Sequence, residues 1–504
     1  MNKLFRSVAA ALLALAAASA VAQEMRIGLQ EDPDVLDPHR GRTFVGRIVL
    51  ASLCDKLVDI DPQLHIVPQL ATSWSWSADN TVLTMKLRTD VLFHDETKFD
   101  AAAAKANLDR ERTIKESYRK GEVISIDKVE APDPQTLVIR LKYPDATLLT
   151  QLGDRAGMMM SPASFDPQDE EKVGRKPICS GPFKFVERVQ NDRVVLERFD
   201  KYYDAKDYHF KRVVYLPIPD TTVRLQNLRA GSLDMLERLS PSDAADVQKD
   251  SHLRFANIAG LGFQELYFNI NNGDRAKTNP FVDPRVRKAL DLAIDRDAIN
   301  QVVGGGIFEP ASQPFPPASP YHSAKFPVEK RDVAKAKALL KEAGKTSVKA
   351  ELLFGNNTTA AAMAEMIQAM AREAGIELSL RPTDYAAMLH QMRAGNFEVG
   401  MRNWSGRSDP DGNVFAFISC KGQVNDGEYC NPEVDKLLHD ARQTTDEAKR
   451  KDMYEQIQAI THKDVVDIFL YYPPSPFALQ RKVQGFVPHP DGLIHLKGVS
   501  FAQQ

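Results

Sequence analysis

Apolar and polar positions alternate along the first half of the chain with a period of two, which predicts half-buried strands. Residues 25–29 alternate in this way and end in Glu31-Asp-Pro-Asp-Val-Leu-Asp-Pro-His39, whose two Asp-Pro steps force extended or turn backbone. Val45, Ile48, Val49, Leu53 and Leu57 then fall at helical spacing, predicting a helix from Phe44 to Leu57. Strand-like alternation returns at 81–88 and 91–95, and twice between 129 and 141 around Pro132-Asp-Pro134, with an Ala-rich helix from Asp100 in between. Residues 179–185 and 194–198 carry a hairpin pattern, and 213–218 is another strand. Asp220 and Gly231 bracket a helix as its cap and its stop.

The pattern changes after Gly262. A strand at 266–270 is followed by Asp283-Pro284, a cap with a first-turn proline. Val286, Ala289, Leu290, Ala293 and Ile294 fill one face of the helix it opens. Asp295 caps a second helix that stops at Gly304-Gly-Gly306, and the proline-rich stretch 310–320 reads as a loop. Helix 332–344, strand 348–354, helix 360–375 and strand 376–380 form a βαβ unit, so a parallel core covered by helices is expected. Met363, Met366, Ile367 and Met370 are core positions of its helix, not a cofactor site. A helix at 383–395 leads into strand 397–402, and this strand runs out through Trp404 into a Gly/Ser/Asp/Pro cluster. Helices at 432–441 and 446–460 and a strand at 465–471 complete this half, and the proline-spaced tail returns to the first.

The segment Met401-Arg-Asn-Trp-Ser-Gly-Arg-Ser-Asp-Pro-Asp-Gly-Asn413 delivers an aromatic, an arginine and two acids at one strand end. That combination suits a polar, aromatic-walled ligand site built from Trp404, Arg407 and Asp409. The plainer reading is a surface turn in which Arg407 pairs with Asp409 or Asp411.

Composition narrows the class. Lys3 and Arg6, an apolar run from Val8 to Ala18, and small residues up to Ala22 read as a secretory signal peptide over 1–22, with cleavage expected after Ala22. No Cys follows the cleavage region, so a lipid anchor is not expected, and no later stretch approaches a membrane span. Removing the leader takes away two bases and no acid, moving the formal charge from −3 to −5. A mildly acidic chain with interspersed charges has no electrostatic footprint for nucleic acid. About 480 residues exceed one core, so two lobes or more are expected. The four cysteines, Cys54, Cys179, Cys420 and Cys430, allow three pairings. Cys420 and Cys430 flank a Gly/Asn/Asp-rich loop that they could close locally, which would leave Cys54 with Cys179.

Catalytic signatures are missing from the sequence. It has no Gly-x-Ser-x-Gly or His-Glu-x-x-His, and Gly344-Lys-Thr346 lacks the upstream glycine of a phosphate loop, with Leu339 in its place. The eleven histidines show no metal-ligand spacing. Asp409-Pro-Asp-Gly-Asn413 lacks the distal Glu of a calcium loop and reads as a plain turn. No metal or cofactor is expected, and an enzyme is the weaker reading.

Short motifs in a fixed order carry a resemblance. They are Leu36-Asp-Pro-His39, Asp55-Lys-Leu-Val58, Pro68-Gln-Leu-Ala-Thr-Ser-Trp74, Phe93-His-Asp95, Ser180-Gly-Pro-Phe183, Pro284-Arg-Val-Arg-Lys-Ala-Leu290 with Ala293-Ile-Asp-Arg296, and Asn431-Pro-Glu433. With them the chain resembles the extracytoplasmic solute-binding proteins of family 5, the peptide/nickel class of bacterial ABC importers. The resemblance implies an α/β, periplasmic-binding-protein-like fold of type II, with two lobes that close on a solute like a hinge. Lobe I would comprise 23–262 and 473–504, with an extra subdomain inserted at about 61–178, and lobe II 263–472. It implies a periplasmic monomer that hands a small-molecule or peptide-like solute to permease subunits in the inner membrane. In peptide-binding members an acid after Trp-x-Gly meets the ligand's amino group; the aligned residue here is Arg407. Phe354 or its neighbours align with an arginine that meets the peptide carboxylate, and Tyr385 aligns with an aromatic wall. Phe44 completes the expected ligand set. An arginine in place of the acid favours a solute with an acidic group. The alternatives are a metal-chelate or haem carrier of the same class, or a secreted hydrolase or folding helper.

Overall fold

The structure is a computed structural model that describes residues 24–502; the leader read at 1–22 lies outside them. Two large sheets organise the chain. The first has seven strands in the order Leu253–Ala256, Phe477–Gln480, Met235–Leu236, Glu24–Leu29, Arg212–Pro217, Arg193–Arg198 and Phe183–Val189. Glu24–Leu29 pairs in parallel with strands on both its sides, and the last residues of this central strand are buried on both faces. Helix Phe44–Leu53 packs on this sheet through Val45, Ile48, Val49 and Leu53. Thr43 caps it by accepting a hydrogen bond from the Gly46 amide.

The second sheet has six strands in the order Glu309–Pro310, Asp467–Tyr472, Phe263–Phe268, Val399–Trp404, Val348–Gly355 and Ile376–Thr383. Its parallel part is limited to the last three, because Phe263–Phe268 runs antiparallel to both its neighbours. Helix Thr358–Glu373 crosses over this part and buries Met363 and Ile367, while Met366 and Met370 pack on the same core from its edge. A third, four-stranded antiparallel sheet (Ala71–Trp76, Val82–Leu87, Thr136–Leu141, Ile126–Asp133) is covered by helix Ala101–Thr113 around its own core. The segments leading into and out of this unit are tied where Cys54 is joined to Cys179, and the second disulfide joins Cys420 to Cys430.

Several local expectations change. The first helix stops at Leu53, because Cys54 is extended and turns toward its disulfide partner; Leu57 is buried in the core of the four-stranded unit instead. Residues 91–95 form no strand, only a bridge from Leu92 to Lys98, because the chain folds back at Glu96 with φ 67°. The Asp409–Asn413 cluster is more than a turn: it opens helix Asp411–Ile418, held by burial of Val414, Phe415, Phe417 and Ile418.

The chain passes between the two large sheets twice, at 257–262 and at 473–476. These crossings touch: Ala259 bridges Pro474, and the Ser475 amide donates to the Ile258 carbonyl at 2.9 Å. Two short, mutually hydrogen-bonded connectors are the expected construction of a hinge.

Candidate functional site

Between the two sheets lies a cleft with about 1070 Å³ of space free of protein atoms. Strand ends and the two crossings line it, the usual place for a ligand in such sheets. Three sequence-picked aromatics meet there: Phe44 from the first sheet's helix, and Tyr385 and Trp404 from the second half. Tyr385 donates its hydroxyl to Asn403 Oδ1 at 2.7 Å. Its ring lies so close to Gly355 that a Cβ there would sit 3.0 Å from Tyr385 Cδ2. Trp404 Nε1 donates to Asn413 Oδ1 at 2.9 Å, and its ring meets Phe417 edge-on at 4.8 Å. Asn413 also receives the Arg407 amide at 2.8 Å, so one side chain fixes both the indole and the turn after it.

The other sequence-picked residues stand elsewhere. Phe354 is buried in the core of the second sheet, and only its neighbour Gly355 reaches the cleft, because strand alternation turns successive side chains to opposite faces. Asp409 pairs with Arg450 at 2.9 Å, and Asp411 with Arg442 at 2.7 Å. Neither acid is left for Arg407, which corrects the surface-turn reading. Arg407 turns away from the cleft, packs over Gly412, and meets Asp154 from the first half, Nε to Oδ2 at 2.5 Å. Its guanidinium also lies 4.3 Å from the Trp404 ring. Arg47 holds the other Asp154 oxygen at 2.7 Å. Burial would raise the Asp154 carboxyl, but Arg407 and Arg47 hold it well below the usual range, while burial pushes Arg407 down to about 10. Arg442 and Arg42 also reach across, to the Gly121 carbonyl at 2.6 Å and to Asp426 at 2.5 Å.

Sequence reasoning missed the charged wall of the cleft. Glu31, Glu237 and Arg238 gather beside Phe44, with the Arg238 guanidinium 4.7 Å from the Phe44 ring. Arg238 adopts φ 49°, a left-handed conformation uncommon for a side-chain-bearing residue. Its nearest acid contacts are loose, 3.4 Å to Glu237 and 3.9 Å to Glu31. Glu237 uses Oε1 to accept the Gln30 amide at 2.7 Å. Glu31 Oε1, Glu237 Oε2 and Arg238 Nη1 are buried without a hydrogen-bond partner. Burial raises Glu31 to about 8, with Arg238 opposing and Glu237, Asp384 and Asp34 reinforcing. The sequence signal was position: Glu31 lies two residues past the end of the first strand, and Glu237 and Arg238 follow Met235–Leu236.

His489, Asp491 and His495 in the tail bring ligand atoms within 4.8 Å of one another, which their sequence spacing did not suggest. Asp491 also faces Arg47 at 3.5 Å, and a guanidinium at that distance opposes a bound cation.

Comparison with known proteins places this geometry. The family model for bacterial extracellular solute-binding proteins, family 5 (middle), matches residues 65–426. The glutathione-binding protein GsiB of Pectobacterium atrosepticum is 30% identical, with 98% of each chain covered. Among solved structures, the periplasmic binding protein DppA of Helicobacter pylori in complex with the peptide STSA superposes with a TM-score of 0.88 at 25% identity, covering 95% of this chain and 98% of that one. The binding protein AgaA of A. tumefaciens R10 in complex with agropinic acid superposes with a TM-score of 0.87 at 25% identity, covering 95% and 99%. The two sheets with a cleft between them are thus the two lobes of a periplasmic binding protein, and the chain belongs to the bacterial extracellular solute-binding proteins of family 5.

Proposed function

We propose that the chain is the periplasmic capture subunit of an ABC importer and that its solute is peptide-like. The cleft supports this reading: aromatic walls from both lobes enclose buried polar atoms that have no hydrogen-bond partner within the protein. Such atoms cost free energy unless a ligand or water satisfies them. Lobe I then comprises 23–262 and 473–504 with the insertion at about 61–178, and lobe II is 263–472. The strand memberships of Phe477–Gln480 and Phe263–Phe268 support this division. The protein works as an exported monomer that binds its solute without transforming it. The family relatives are binding proteins, and among the described residues no helix is long and apolar enough to cross a membrane.

The expectation of an acidic solute rested on Arg407. With Arg407 facing Asp154, the charges offered to a ligand are Arg238, Glu31 and Glu237, and these suit a ligand carrying both signs. A thermal-shift panel of glutathione, the tetrapeptide Ser-Thr-Ser-Ala, agropinic acid and a nickel–histidine chelate tests the reading. A true ligand at a hundred times its dissociation constant adds about 2.7 kcal/mol. A shift with the chelate alone would replace the peptide-like reading with the metal-chelate one.

A further inference from the structure

We infer that Glu31, Glu237 and Arg238 form a recognition subsite for an α-amino-acyl or α-amino-acid head: the two carboxylates take a primary ammonium, and Arg238 takes the oxygen next to it. This rests on the peptide-like reading and narrows it. Three features of the wall carry the inference. Glu31 and Glu237 are 6% and 1% exposed, yet each keeps one oxygen without a hydrogen bond. An ammonium brings three donors and no acceptor, which matches two waiting acceptor oxygens. Arg238 Nη1 is a waiting donor in the same place, within 3.9 Å of Glu31. Acceptors and donor this close fit a ligand whose ammonium and carbonyl or carboxylate oxygen share one carbon.

The backbone points the same way. Arg238 holds a left-handed φ of 49°, a conformation that is strained for a residue with a side chain and persists where its surroundings impose it. The guanidinium lies over Phe44, and stands 3.4 Å from Glu237 and 3.9 Å from Glu31. An arginine recruited only to neutralise Glu31 and Glu237 would be expected to hydrogen-bond them.

The subsite has a consequence in protons. The groups acting on Glu31 are Arg238 and Glu237 from the segment after Met235–Leu236, Asp384 from the cap of helix Tyr385–Arg393, and Asp34 from its own loop. Arg238 lowers its pKa, and burial and the three acids raise it, to about 8. A ligand ammonium requires the carboxylate, so below pH 8 binding must expel a proton. Observed affinity then rises with pH, on the order of tenfold per unit well below 8, and falls again at higher pH, where the ligand's own α-ammonium (ordinarily about 8) loses its proton.

The test is calorimetry at pH 6.5 on the wild-type protein with two probe pairs, each titrated up to about 1 mM: glutathione against N-acetylglutathione, and Ser-Thr-Ser-Ala against its N-acetyl form. Repeating the binding member in two buffers of different ionisation enthalpy counts released protons. The expected result is binding by a free amine, at least tenfold loss on acetylation, and close to one proton released per ligand. Glu31→Gln, which keeps shape and removes the charge, should abolish the proton release and weaken binding by about tenfold or more. An acetylated probe binding as tightly as its free amine overturns the subsite and leaves the peptide-like reading standing. Failure of every free-amine probe removes both. If Glu31→Gln does not fold, the acetylation and proton-count arms on the wild type still decide.

Discussion

Arg407 follows a strand of the second sheet and Asp154 lies in the first half of the chain, so under the proposed lobe division their pairing makes a quantitative prediction about closure. Their side chains are 9% and 4% exposed and lie 2.5 Å apart. Arg407→Met deletes the charge and keeps much of the packing over Gly412. Asp154 is not orphaned by this change, because Arg47 still holds its other oxygen at 2.7 Å. The loss is therefore that of one close ion pair without hydrogen-bond alignment, about 1.5–3 kcal/mol at the low end of measured couplings for close charge pairs, and not the larger cost of a stranded charge. Opening the lobes returns both groups to water, so the loss falls on the closed–open equilibrium and spares the stability of each lobe. Apparent affinity falls with the closed fraction, giving roughly 10- to 100-fold weaker binding. Calorimetry with a panel ligand reads the affinity, and small-angle scattering reads the smaller compaction on ligand addition. The denaturation midpoint without ligand should barely move. Asp154→Asn should weaken binding too, but also lower stability, because it frees Arg47 within lobe I. The double variant should lose little more affinity than the larger single one, the signature of coupling. Affinity for Arg407→Met within threefold of wild type refutes the latch. A loss confined to acidic ligands would return Arg407 to the role of ligand contact.

Two further outcomes are expected. Thiol titration of unfolded, unreduced protein should find essentially no free thiol; breaking the Cys54–Cys179 bridge, which spans 125 positions, should cost about 2–5 kcal/mol in denaturant melts, more than opening Cys420–Cys430. Gly262→Ala should destabilise by more than about 2 kcal/mol and weaken ligand binding together, because a Cβ there would lie 1.8 Å from the Trp404 carbonyl oxygen and must displace the aromatic wall; an unchanged melting midpoint would show that the crossing is looser than its geometry implies.

What the sequence determined was local. Helix starts were legible wherever an Asp or Asn precedes an apolar face: Asp100, Asp220, Asp283, Asp295, Asp446 and Asn431 all cap as their chemistry requires. Period-two runs marked most strands, though the run at 91–95 folds back instead, and the Trp404 stretch was rightly read as a strand end. Trp404 could be picked because a large aromatic beside turn chemistry is distinctive in one dimension, whereas Tyr385 was picked through the family resemblance and Phe44 as part of the ligand set expected with it. The ligand-site role of Phe354 came from alignment and that of Arg407 from local turn chemistry and alignment together, and neither carries information on where a side chain points. Arg407 was read against the nearest acids in sequence, yet Asp409 and Asp411 are each taken by an arginine more than 30 residues away. Its partner Asp154 lies 253 positions earlier, brought near only by the tertiary fold. Glu31, Glu237 and Arg238 were invisible for the same reason: in a chain with 68 acids and 65 bases, no single charge stands out. Which of them is buried and lacks a partner depends on how two parallel strand ends, Glu24–Leu29 and Met235–Leu236, come side by side. That is a property of the sheet, and strand pairing at such separation is set by packing of the whole core, which no local window of sequence contains.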